Sequence, residues 1–126
     1  MSSRWGHLQT ATDWCIKIPF GWSSCFAQLA QLCPEAVDYA VSTQSPNDSF
    51  IEWGGGYYFP DLFAVDRADR WDLLARQARR TWALMQKNNT RIIGFNVAKL
   101  DSPDALKAYE IFARQTDGLL AILAFQ

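Results

Sequence analysis

The chain runs to its last residue through Leu119-Leu120-Ala121-Ile122-Leu123-Ala124-Phe125, an unbroken apolar stretch that follows the turn residues Asp117-Gly118. A half-buried strand would alternate polar and apolar residues. This run does not, which predicts a parallel strand covered on both faces. Upstream, Ser102-Pro103-Asp104 is a helix start: a hydroxyl cap, proline at the first helical position and an acid facing the helix dipole. That helix would bury Ala105, Ala108, Tyr109 and Phe112. Residues 91–97 read as another buried strand. Residues 67–87 read as a long helix, with Trp71, Leu74, Ala78, Trp82 and Met85 at helical spacing. Within it Asp72 and Arg76 are spaced for an i,i+4 pair, and Asn88-Asn89 stops it.

Further back, residues 14–18 are predicted as a strand ended by Pro19, with a turn at Gly21-Trp22-Ser23-Ser24. Helices follow over residues 26–32 and from Pro34 onward. The turn-rich Ser45-Pro46-Asn47-Asp48 delivers the chain into a short strand over residues 49–53. Residues 1–13 are polar and small and read as an irregular lead-in, leaving 14–126 as one α/β domain. Its parallel strands alternate with helices and are joined by right-handed crossovers. The arrangement resembles part of a (β/α) barrel, incomplete because about four strands cannot close a barrel of eight. The last strand would then be an apolar edge, which predicts either pairing in a homodimer or docking onto the remainder of a larger barrel.

Composition narrows the function classes. A net charge of −1 gives no field favouring nucleic acid, and no apolar run is long enough to span a bilayer. The arginines over residues 67–80 are interleaved with Asp66, Asp69 and Asp72, as on a solvated helix face. Cys15, Cys25 and Cys33 lack metal-site spacing, and His7 is the only histidine. The thiols read as small buried hydrophobes with at most one disulfide, and no metal or cofactor is expected. No charged start followed by an apolar run marks a signal peptide.

In parallel α/β folds the site lies at the C-terminal ends of the strands. There the sequence places Gly54-Gly55-Gly56-Tyr57-Tyr58-Phe59-Pro60, whose glycines permit positive φ and close backbone approach to a ligand. No Lys-Ser/Thr follows, so it is not a phosphate loop. Asp48, Glu52 and Asp61 flank it, and glycosidic hydrolysis commonly uses two carboxyl groups. Each also has a structural reading: Asp48 and Asp61 as turn caps, and Glu52 as a solvent-facing member of an alternating strand. Trp22, Gly54, Gly56, Tyr57, Tyr58 and Asn96 are the candidate ligand contacts. For Trp22 and Trp53, core packing competes with a role as sugar platforms.

The order Pro46-Asn47-Asp48, a short strand, then Gly54-x-Gly56-Tyr57-x-Phe59-Pro60 resembles the signature of the GxGYxYP family of proposed glycoside hydrolases. Ile18-Pro19-Phe20-Gly21-Trp22-Ser23 and Leu32-Cys33-Pro34 resemble that family's upstream segment, and a weaker likeness runs to the final strand. Phe59 stands where the family name has tyrosine, and no Gly-Asp-Asn segment precedes the motif. The resemblance implies a carbohydrate ligand, a partial catalytic domain and a place of action outside the cytoplasm. The alternative is a non-catalytic carbohydrate-binding or protein-interaction module of the same fold, dimerising through its last strand.

Overall fold

A computed structural model describes residues 20–126. The strand expected over 14–18, the lead-in, His7 and Cys15 lie outside the described residues. Four parallel strands form one sheet in the order β1 (Phe20–Ser24), β2 (Asp48–Glu52), β3 (Ile92–Asn96) and β4 (Ala121–Phe125). Between them come α1 (Phe26–Leu32), α2 (Pro34–Thr43), a 3₁₀ turn at Pro60–Leu62, α3 (Arg70–Lys87) and α4 (Pro103–Gln115). The chain is therefore α/β, with parallel strands alternating with helices. Consecutive strands are neighbours throughout, the order found in a stretch of (β/α) barrel.

The first element corrects the reading of the N-terminal region. Gly21-Trp22-Ser23-Ser24 is not a turn but most of β1, in register with Ser49, Phe50, Ile51 and Glu52 of β2.

The helix ends follow local chemistry. Ser102 Oγ accepts from Ala105 N at 3.1 Å, with Pro103 at the first helical position and Asp104 in the first turn of α4. Asn89 takes φ 51° after α3, Thr90 N–H donates to Met85 O at 2.9 Å, and Asn89 N–H donates to Gln86 O at 3.3 Å. That pair of bonds is the Schellman arrangement, and it places the stop at Asn88-Asn89. α3 opens at Arg70 and not Arg67, because Arg67 folds back onto Asp69 in a 2.9 Å ion pair before the helix begins. Among the described residues Asp72 and Arg76 form no ion pair.

The main core lies on one side of β3. Leu74, Ala78 and Met85 of α3 and Ala105, Ala108, Ile111 and Phe112 of α4 close over Ile93, Phe95 and Val97. Phe95 and Phe112 meet edge to face with centroids 4.5 Å apart. Strand alternation sends Ile51, Trp53, Ile92, Leu123 and Phe125 to the opposite face, which no described helix covers. Trp53 lies over Gly94, where an added Cβ would come within 3.3 Å of the indole, and its ring centroid is 5.3 Å from that of Phe125. Among the described residues β4 is a sheet edge, as expected. It is half-buried, not covered on both faces: among the described residues, helix packing reaches it on the Ile122 side. Cys25 and Cys33 are free thiols, and Cys33 is exposed in the α1–α2 turn, so it is not the buried hydrophobe the sequence predicts.

Candidate functional site

The C-terminal ends of the strands gather as the parallel order requires. Trp53 leads from β2 into a tight turn in which Gly56 N–H donates to Trp53 O at 2.9 Å. Gly54, Gly55 and Gly56 take φ of 59°, 79° and 144°, a run that side-chain-bearing residues rarely adopt. An added Cβ on Gly55 would also overlap the Thr81 hydroxyl. Gly54, Gly56, Tyr57, Tyr58 and Asn96 all border one shallow depression with Trp53. Its volume is about 10 Å³, too little to enclose a sugar. Among the described residues this depression offers a surface for stacking more than an enclosure.

The two tyrosines part company there. Tyr57 is 82 % exposed, with its ring edge-on to Phe59 at 6.5 Å. Tyr58 turns inward onto Phe63 at 5.3 Å, and its hydroxyl is buried without a hydrogen-bond partner. Burial and then the Glu52 charge push that phenol well above its usual range. Only Tyr57 can therefore present its ring to a ligand. Asn96, half-buried at the end of β3 and in register with Phe125, adds an amide to the same end. Trp22 lies away from this group: it pairs in register with Phe50, on the helix side of the edge strand β1.

The three carboxylates are not brought together on one cleft. Asp48 opens β2, roughly 13 Å along the strand from Glu52. Its Oδ2 accepts from Ser45 N at 2.9 Å, the turn-capping role that the sequence allows. Glu52, expected to face solvent, is fully buried on the helix side of the sheet. Its Oε2 accepts from Ala27 N at 2.7 Å and its Oε1 from Gly55 N at 3.0 Å. Burial raises its carboxyl above the ordinary value, and N–H groups of Ala27, Gly55 and Phe26 pull it back in part. Cys25, the residue before α1, offers no side-chain cap, so Glu52 caps that helix from the neighbouring strand. Asp61 is buried too: its Oδ2 accepts from Ala98 N at 2.9 Å and pins the β3–α4 loop. Arg70 Nη2 donates to the Asp61 carbonyl at 2.6 Å, and Arg70 Nη1 reaches Asp104 at 3.1 Å.

Nothing in the sequence marks a second concavity. A groove of about 530 Å³ runs between α1 and α3, bordered by Gln28, Gln31, Gly55, Gln77, Arg80 and Thr81. Among the described residues no group of three His, Cys, Asp or Glu could hold a metal ion. No helix among them is long and apolar enough to cross a membrane. Set against known families, curated proteins and solved structures, the chain matches no family model, no curated protein and no solved structure.

Proposed function

We propose that the chain is a carbohydrate-binding α/β module that holds its ligand at the C-terminal ends of the strands and does not cleave it. The observation that carries this reading is the contrast between Tyr57 and the carboxylates. The exposed Tyr57 ring, beside Phe59 and the Asn96 amide, is a flat apolar face with a polar neighbour, which suits the alternating faces and hydroxyls of a sugar. Glu52 instead accepts backbone N–H groups on both oxygens, Asp61 accepts from Ala98 N on Oδ2 while its Oδ1 is buried without a partner, and Asp48 is at the other end of β2. A glycosidase needs two carboxyl groups facing one bond across roughly 5–9.5 Å. The resemblance to the GxGYxYP family supports the ligand class, and this reading places the chain on the binding side of that resemblance.

A titration of oligosaccharides followed by thermal shift tests it. Tyr57→Ala should weaken binding roughly tenfold, the loss expected when a stacked ring worth about 1–2 kcal/mol is removed. The variant should keep the melting temperature of the unliganded chain, because Tyr57 packs on little else. Undiminished binding in the variant would remove Tyr57 from the site.

A second reading, a protein-interaction module, is favoured by β4. Among the described residues its outer edge pairs with no strand, and Leu120 and Phe125 beside it are exposed. Two copies joined β4 to β4 about a two-fold axis would form an antiparallel seam in an eight-stranded sheet. Light scattering should then give twice the chain mass, reverting to one on Ile122→Pro or Ala124→Pro. A single chain mass at the highest attainable concentration removes this reading and leaves the first intact.

A further inference from the structure

The groove between α1 and α3 is separate from the Tyr57 surface, and its polar lining is only partly engaged. Thr81 is buried at its base with the hydroxyl unpartnered. Among the described residues the Gln77 amide makes no hydrogen bond and Arg80 has no carboxylate partner. Arg80 Nη2 donates to the neutral Gln31 Oε1 at 2.7 Å, which leaves its other N–H groups available. Gln28 Nε2 donates to Gly55 O at 3.1 Å and holds the glycine turn as the end wall. Among the described residues no acidic side chain borders the groove. The buried Glu52 behind that wall has both oxygens turned to the Ala27 and Gly55 N–H groups.

Such a lining calls for an anion with a polar body. A guanidinium without an acid partner fits a planar carboxylate through two parallel N–H bonds. A free amide and a buried hydroxyl then call for groups that can both donate and accept, since leaving them unpaired is costly. The volume, about 530 Å³, is within the range of small-molecule sites. We infer that the α1–α3 groove binds a small hydroxylated carboxylic acid, with Arg80 on the carboxylate and Gln77 and Thr81 on the hydroxyl groups.

Glucuronate, glucose and inorganic phosphate serve as probes in heteronuclear NMR titrations of the full chain. Glucuronate should shift the side-chain signals of Gln28, Gln77 and Arg80, while glucose and phosphate bind at least tenfold more weakly. Arg80→Gln should reduce glucuronate affinity tenfold or more, whereas Arg79→Gln, which lies outside the groove, should leave it unchanged. Gln77→Ala should weaken it less than Arg80→Gln. The inference is overturned if glucuronate leaves the groove signals unmoved or if phosphate binds equally well. It is also overturned if Tyr57→Ala, and not Arg80→Gln, abolishes binding. Because only the last outcome involves Tyr57, failure here is distinct from failure of the carbohydrate reading.

Discussion

Replacing Glu52 by alanine is expected to destabilise the fold by about 3 kcal/mol, read as a fall in the urea midpoint with an unchanged slope. The carboxylate is fully buried and accepts from the Ala27 and Gly55 N–H groups at 2.7 and 3.0 Å. Removing it leaves these donors buried without an acceptor, at about 1–3 kcal/mol for each unsatisfied group. Relief of the buried charge offsets part of that loss. Both the start of α1 and the glycine turn should loosen, visible as faster amide exchange at Ala27 and Gly55. If the midpoint is unchanged, Glu52 is not the cap of α1.

The same residue sets a pH dependence of defined sign. Its folded pKa is raised above the ordinary 4.5. Its contribution to stability is therefore fully present below about pH 4.5 and declines as the pH rises through the folded value. Glu52→Gln should flatten the stability profile in that window. The exposed Asp69 and Glu110 have lowered pKa values, from hydrogen bonds to Arg67 and Lys107 respectively, so their contributions are lost as pH falls. A slope that survives in Glu52→Gln must arise from another group.

Phe112→Ala is the second large effect, at about 3–5 kcal/mol. Phe112 has no exposed surface, and its ring meets Phe95 at 4.5 Å in the layer between α4 and β3. The small neighbours Ala105 and Ala108 cannot swing in to fill the space, so much of the cavity should persist. Domains of ordinary stability have about 5–15 kcal/mol in total, so the variant should melt far below the parent chain. Phe112→Leu, which leaves a smaller void, should recover more than half of the loss. Equal losses in the two variants would mean that the layer is not tightly packed.

The fold was legible in the sequence where local chemistry decides it. Ser102-Pro103-Asp104 announces α4 with hydroxyl, proline and acid in order, and the apolar run ending at Phe125 announces a parallel strand. Legibility failed where a distant partner decides. Gly21-Trp22-Ser23-Ser24 carries turn residues, yet pairing with β2 draws it into a strand. Glu52 alternates with apolar neighbours as a solvent-facing residue would, but the face it points to belongs to the helices. Only knowing that α1 lacks a cap of its own explains why an acid is buried there. At the site, the glycine turn could be placed from sequence, with Tyr57 and Tyr58 as two equal candidates. The inward turn of Tyr58 could not, because it depends on Phe63, and neither could the α1–α3 groove, whose walls lie about fifty residues apart in the chain.

On the proposed function, the strand ends bind glycan through Tyr57 without cleaving it. A glycan array with reducing ends assayed in the same wells, run for the parent chain and Tyr57→Ala together, tests this most directly. The expected result is retention of at least one glycan by the parent chain, loss of that signal in Tyr57→Ala, and no new reducing ends in either. Release of reducing ends that disappears in Glu52→Gln or Asp61→Asn would contradict it, as would the absence of any bound glycan.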